Sequence, residues 1–221
     1  MIRNLLAFIG ILAIAAGAYF FAVMPGMLQI MPGMLSSGMK PIVEVINKNP
    51  QGLMAAAANL APGAADETAV MLNRWIASKG EIGYTTIWEK QVQPGLTLDD
   101  VKAALESVAT ERNIKAVGEL PLSSELEARG IKTGTLFIAS YCNPETARKM
   151  VDFAPSMAAY LPCRVAVFQK ADGTLWIATL NMDMMLKMGQ NMGSNEDLIK
   201  STKAVRDTMW EMLERGSKGE I

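Results

Sequence analysis

The stretch Leu5–Met24 constrains this chain more than any other, because it runs for twenty residues without a charge. As a helix rising about 1.5 Å per residue it would span about 30 Å, which matches the hydrocarbon core of a bilayer. Secretory signal peptides have shorter apolar runs and a small-residue cleavage site at the end. Here the run continues into Met24-Pro25-Gly26-Met27. We therefore expect an uncleaved transmembrane signal-anchor over residues 1–24, with cleavage inside Ala13–Ala18 as the alternative.

The charges around this run indicate its orientation. Arg3 and the amino terminus precede it, and the next charged residue is Lys40. Because positive residues stay on the cytoplasmic side, the larger carboxy-terminal part is expected in a bacterial periplasm. The chain would then be a single-pass protein of the inner membrane.

The uncharged segment from Asn4 to Met39 is longer than one membrane span requires. It contains Met-Pro-Gly-Met-Leu twice, and Pro25 and Pro32 prevent a simple continuation of the helix. An apolar segment interrupted in this way should not lie bare in water. We expect residues 5–39 to contact membrane lipid and other integral membrane subunits; packing against the chain's own domain is the alternative.

The composition narrows the classes of function. With 21 basic and 22 acidic residues the net charge is −1, which gives no electrostatic basis for binding nucleic acid. The chain has no histidine, so it lacks the usual general base and the usual nitrogen ligand of zinc, copper and haem. Catalysis would need cysteine, carboxylate, lysine or tyrosine chemistry. We assign no catalytic residues and expect no cofactor, with copper(I) as the open alternative.

The rest of the chain is expected to form three further parts. Residues 25–65 are an apolar juxtamembrane segment rich in Met, Pro and Gly, followed by an Ala-rich linker. Residues 66–80 read as a connecting helix that Asp66 caps and Gly80 ends. Residues 81–221 are the periplasmic domain.

Alternating and helical spacings predict an α+β domain with the order β-α-β-β-α-β-β-α, its helices packed on one twisted sheet. Helices are expected at 98–112 after the capping residue Thr97, and from the Asn143 cap to about Phe153. The final helix should open at Ser194 or Asn195 and end at Gly216. The expected strands are YTTIWEKQV from Tyr84, Ile114–Leu120, Thr135–Cys142 with both faces buried, and a hairpin of Arg164–Lys170 with Thr174–Leu180.

Three stretches of this domain are similar to a known family. They are Gly118-Glu119-Leu120, Tyr141-Cys142-Asn143-Pro144, and Leu161-Pro162-Cys163-Arg164-Val165-Ala166-Val167. Together with the closing helix they resemble the domain of unknown function 302 family over roughly Tyr84 to Arg215. The resemblance implies a fold like that of the TATA-binding protein and implies no activity. A shared fold does not carry DNA binding with it, because function depends on the site.

The two cysteines, Cys142 and Cys163, are the first candidates for a site. Cys142 ends one expected strand and Cys163 begins another. If these strands are parallel, the sulfur atoms lie on the order of 20 Å apart, beyond the reach of a disulfide. If the strands are antiparallel, or if the return at residues 154–162 folds back, the two cysteines can meet. They would then form a disulfide, lie as two small buried residues, or act as a thiol pair for a soft metal or a sulfur species.

Methionines cluster after the last strand, in NMDMMLKMGQNMG. Met184 and Met188 are four residues apart and share a helix face. With Cys142 and Cys163 they make the predicted copper(I) set, since thioethers and thiolates accept soft cations. A Met-lined apolar groove or ordinary core packing is the alternative.

Our leading hypothesis is a membrane-anchored, non-enzymatic periplasmic domain that serves as an accessory or structural subunit of a larger inner-membrane complex. The second is a redox or soft-metal protein that binds copper(I) or a sulfur species through the Cys pair and the Met cluster. An enzyme with cysteine chemistry is the third.

Overall fold

The computed structural model describes residues 40–187, 191–193 and 195–221. The expected anchor, the rest of the uncharged run to Met39, and Met188 lie outside these residues. Within the described ranges, no helix combines the length and the apolar character that crossing a membrane requires. The chain divides into two compact units, Met1–Ala58 and Asn59–Ile221.

The described part of the first unit consists of two helices, α1 (Lys40–Lys48) and α2 (Pro50–Ala58). The segment expected as an Ala-rich linker is helical over α2. Four consecutive alanines, together with Leu53 and Met54, favour a helix because they lose little conformational freedom there.

The second unit is built on one five-stranded sheet, in which every pairing is antiparallel. The order across the sheet is β1-β5-β4-β3-β2. The strands are β1 (Ile87–Gln91), β2 (Lys115–Leu120), β3 (Leu136–Cys142), β4 (Cys163–Gln169) and β5 (Leu175–Leu180).

Helices connect and cover these strands. They are α3 (Ala64–Ala77), α4 (Ile82–Thr86), α5 (Leu98–Glu111), α6 (Leu122–Ala128), α7 (Pro144–Phe153), a 3₁₀ helix (Pro155–Tyr160), α8 (Met182–Lys187) and α9 (Glu196–Lys218). From β1 onward the predicted order β-α-β-β-α-β-β-α is confirmed, with the short helices α6 and α8 added. The connecting helix expected at 66–80 is α3, and it belongs to the second compact unit.

Local signals in the sequence explain where the main helices begin. At α5 the Thr97 hydroxyl accepts from the Asp100 N–H at 3.3 Å while the Thr97 N–H donates to the Asp100 carboxylate at 2.7 Å. Asn143 caps α7 and Asn195 caps α9. In each case the side-chain amide oxygen accepts a hydrogen bond from the backbone N–H three residues later in the chain. These bonds satisfy backbone donors that a helix start leaves unpaired.

The two faces of the sheet differ in their surroundings. On one face Phe137, Ala139, Tyr141, Val165, Val167 and Ile177 are buried in a core that α5 and α9 complete. The alternate residues of the same strands, such as Ile138 and Phe168, are half-buried. The prediction that Thr135–Cys142 is buried on both faces is therefore wrong, because only alternate residues of β3 are fully buried.

Two element boundaries also differ from the sequence predictions. Tyr84 lies in α4 and not in a strand, and the Thr85 hydroxyl donates to the Glu81 carbonyl within that turn. The last helix continues past Gly216 and ends at Gly219, which has the left-handed φ of 65°. Gly216 is needed for packing: a Cβ there would lie 2.7 Å from Ile177 Cδ1 on the sheet.

We predict that Gly216→Ala destabilises the protein by about 1 kcal/mol. Alanine favours a helix by up to about 1 kcal/mol over glycine, but overpacking a full core costs about 1–3 kcal/mol. Gly118→Ala on β2 is the matched control, because no atom lies within 4 Å of its added Cβ. Urea unfolding of both variants measures the difference. A stabilised Gly216→Ala variant would show that α9 can move off the sheet.

Candidate functional site

The pairing of β3 with β4 brings the two cysteines together. Tyr141 on β3 lies opposite Cys163 on β4, so Cys142 is one residue further along and belongs to the other face of the sheet. This is the antiparallel alternative of the sequence analysis. Both cysteines are free thiols in the structure.

The surroundings of Cys163 and Tyr141 favour the neutral forms of both side chains. Burial, with a smaller contribution from Cys142, raises the pKa of the Cys163 thiol to about 11. Burial also raises the pKa of Tyr141 to about 12, and the charges of Glu119 and Glu106 add to this shift. The Cys163 thiol and the Tyr141 phenol therefore both keep their protons at neutral pH.

A cavity of ≈ 370 Å³ opens beside the cysteines, between the sheet, α7, the 3₁₀ helix, α8 and α9. Its most distinctive lining is sulfur, since six of the residues that wall it carry a thiol or a thioether. They are Cys142, Cys163, Met150, Met157, Met182 and Met185. Polar atoms are fewer and come mainly from Tyr141, Asn143, Thr146, Tyr160, Arg164 and Thr179. Such a lining suits an apolar or soft ligand with a few fixed polar contacts.

The chain between the two cysteines forms one wall of the cavity. It leaves β3 at Cys142, enters α7 through the Asn143 cap, and returns through the 3₁₀ helix to Cys163. The Asn143 amide also donates to the Asn113 carbonyl at 3.5 Å, which holds the start of α7 beside the end of α5. Met150 on α7 and Met157 on the 3₁₀ helix lie in this segment, so one connection carries both thioethers of this wall between the two cysteines.

The opposite wall is α8, and two polar contacts fix its place. Asn181, which is 1% exposed, accepts the Met184 N–H at 3.0 Å and so caps α8. Its amide donates to the carboxylate of buried Glu67 on α3 at 2.8 Å. In the first turn of the same helix, Asp183 accepts two hydrogen bonds of 3.0 Å from Arg206 on α9. These contacts hold Met182 and Met185 toward the cavity.

The predicted metal set is only partly brought together. Cys142 and Cys163 both line the cavity, whereas Met184 is not among the described residues that line it. Met188 is outside the described residues. In their place the cavity has Met182 and Met185, which are three residues apart and share a face of α8.

Met150 and Met157 were not singled out from the sequence. Helical spacing identifies which methionines share a face, but it does not say which face meets the sheet. Nothing in the local sequence indicates that α7 and α8 face one cavity. Within the residues that the structure describes, no group of three or more Cys, Asp or Glu side chains is arranged to hold a metal ion.

Comparison with known proteins gives a family and no activity. A family model described as "Domain of unknown function DUF302" matches residues 88–216. No curated protein matches the chain. A solved structure described as an uncharacterized conserved DUF302 protein from Bacillus stearothermophilus is 18% identical, with a TM-score of 0.47. That match covers 59% of this chain and 97% of the other.

We predict that Cys163 reacts slowly with iodoacetamide at pH 8. In Cys142→Ser only Cys163 remains, and a pKa near 11 leaves about 100-fold less thiolate than an ordinary thiol with a pKa near 9. Its alkylation rate should keep rising to about pH 11. The same variant unfolded in urea is the control and should react at the ordinary rate. A rate that levels off near pH 9 in the folded protein would show that the thiol is solvated.

Proposed function

The chain belongs to the DUF302 family, and we propose that its domain is a non-enzymatic binding module whose sulfur-lined cavity holds a soft cation, copper(I). The observation that carries this proposal is the convergence of two free thiols and four methionines on one cavity. Copper(I) accepts thiolate and thioether ligands and does not require histidine, which this chain lacks.

The chemistry of the cavity separates copper(I) from harder ions. A hard cation needs several oxygen ligands or water, and burying it without them is costly. A soft cation exchanges its water for sulfur and fits an apolar wall. Binding must displace the proton of each thiol that becomes a ligand, and the raised pKa of Cys163 makes this displacement dependent on pH.

The ligand set can be tested with two adjacent methionines of α8. We predict that Met185→Leu weakens copper(I) binding about tenfold or more, because the variant loses one soft ligand at the cavity. Met184→Leu is the matched control and should leave the affinity unchanged. Competition with a chromogenic copper(I) chelator under anaerobic, reducing conditions measures both, and Cys142→Ser/Cys163→Ser should abolish binding.

The pH dependence adds a second readout. Between pH 6 and pH 8 the affinity should rise about tenfold per pH unit for each thiol proton released, since the pKa of Cys163 lies well above this range. Equal effects of Met184→Leu and Met185→Leu would refute the cavity as the copper site. Reaction of both thiols with persulfide, without any methionine dependence, would instead favour a sulfur species as the ligand.

We further propose that the domain is anchored in a bacterial inner membrane, faces the periplasm, and serves as an accessory subunit of a larger complex. The supporting observation is the uncharged run from Asn4 to Met39, which exceeds one span. In this proposal residues 5–24 cross the bilayer and the remainder of residues 5–39 contacts lipid and other integral membrane subunits.

Anchoring predicts that the full-length chain resists extraction from membranes by alkaline carbonate. Ile14→Arg/Ala18→Arg places two charges in the expected span, at a cost of about 2.5–3.5 kcal/mol each near the bilayer centre, and should release the protein. Ser36→Arg/Ser37→Arg, beyond the span, is the control and should remain in the membrane. Isolation from native membranes in mild detergent tests the accessory role, and a lone, stable, monodisperse protein would refute it.

A further inference from the structure

Helix α3 is amphipathic in the opposite sense to an ordinary surface helix. Its inner side consists of Ala64, Glu67, Met71 and Arg74, which follow the spacing of one helix face and are buried or half-buried. The carboxylate of Glu67, a residue only 5% exposed, accepts hydrogen bonds from Asn181 at 2.8 Å and Lys187 at 3.4 Å. Glu67 and Arg74 of this helix therefore point toward the protein, whereas Asp66 is exposed.

The outer side of α3 is apolar. Leu72 and Ile76 share a stripe with Ala65 and Ala69, and they are 53% and 60% exposed. Trp75 lies beside this stripe and is also exposed. A helix with this pattern normally turns the stripe toward a core, so the exposed stripe indicates a surface that something else covers.

The following turn extends the same apolar character. The Trp75 ring lies against Gly80, with its indole nitrogen 3.5 Å from the position of an added Cβ there. Ile82 is 68% exposed, and Tyr84 supports the Arg74 guanidinium, 4.6 Å from its ring centroid. Exposed Trp and Tyr beside aliphatic side chains are typical of the boundary between lipid headgroups and acyl chains.

We propose that the apolar stripe of α3, with Leu72, Trp75, Ile76 and Ile82, lies in the headgroup region of the membrane that anchors the chain. This inference rests on the anchoring proposed above. The uncharged run ends at Met39 and α3 begins at Ala64, so the chain between them can span at most about 80 Å and tethers the helix near a bilayer that holds residues 5–24. Apolar contacts drive the interaction, because the segment from Gly63 to Tyr84 has three acidic and only two basic residues.

The position of Trp75 makes the contact measurable. The full-length protein is reconstituted into phosphatidylcholine vesicles, with and without bromine atoms on the acyl chains. The chain has four tryptophans, so the emission lost in Trp75→Phe isolates the signal of this residue. We expect brominated lipid to reduce that signal at least twofold, and neither added salt nor added anionic lipid should change the result.

Two double variants test whether the apolar side of α3 makes the contact. Leu72→Ser/Ile76→Ser should remove most of the quenching of Trp75. Val117→Ser/Ile131→Ser is the matched control, since its residues are 48% and 51% exposed outside α3, and it should leave the quenching intact. Circular dichroism of each variant checks that the domain is folded.

The outcomes separate this inference from the anchoring on which it rests. Vesicles that carry the protein to the top of a density gradient, with Trp75 quenched, support both. Flotation without quenching, or quenching that survives Leu72→Ser/Ile76→Ser, overturns the contact of α3 and leaves the anchor in place. A protein that does not float overturns the anchor and the contact together.

Discussion

The antiparallel pairing of β3 with β4 is the constraint on which the rest of this domain depends. Its register places Tyr141 opposite Cys163, and it thereby brings Cys142 and Cys163 to the same end of the sheet on neighbouring strands. Because the strands are neighbours, the connection between them must leave and re-enter the sheet at that same end, and α7 and the 3₁₀ helix form a wall there. A shift of one residue would turn Val165 and Val167 away from the core and expose them. The register that buries the core therefore also builds the cavity.

Buried polar contacts hold α8, which forms the opposite wall of the cavity, in place. Glu67 is almost fully buried, and an unpaired carboxylate in that position would be costly. The amide of Asn181 satisfies it, and the same Asn181 caps α8 through the Met184 N–H. One residue thus connects α3 to the helix that carries Met182 and Met185. The inward position of Glu67 also has a geometric consequence, because the stripe of Leu72 and Ile76 lies on the opposite side of α3 and therefore faces out.

The fold could be read from the sequence wherever the signal was local. Thr97 with Asp100, the Asn143 cap and the turn of the β4–β5 hairpin depend on residues within a few positions of one another, and each was predicted correctly. The failures have non-local causes. Gly216 was taken for a helix stop, but its role is to let α9 approach Ile177, far away along the chain. The sequence of a single strand likewise does not determine which strand it pairs with or in which direction, so the sequence leaves open whether Cys142 and Cys163 come together. The choice between Met184 and Met185 depends on which side of α8 faces the sheet.

The absence of histidine and the sulfur lining of the cavity both favour a ligand that binds sulfur. A histidine in the cavity would gain or lose a proton near neutral pH. The Cys163 thiol and the Tyr141 phenol do so only near their raised pKa values of about 11 and about 12. The thiol and the phenol are therefore uncharged until a ligand displaces a proton from one of them. A cation that binds sulfur strongly can drive that displacement, and one that prefers oxygen cannot compensate for the loss of its water. Selectivity for a soft ligand would then follow from burial as much as from the identity of the donor atoms, since the same thiols in water would be open to harder ions as well.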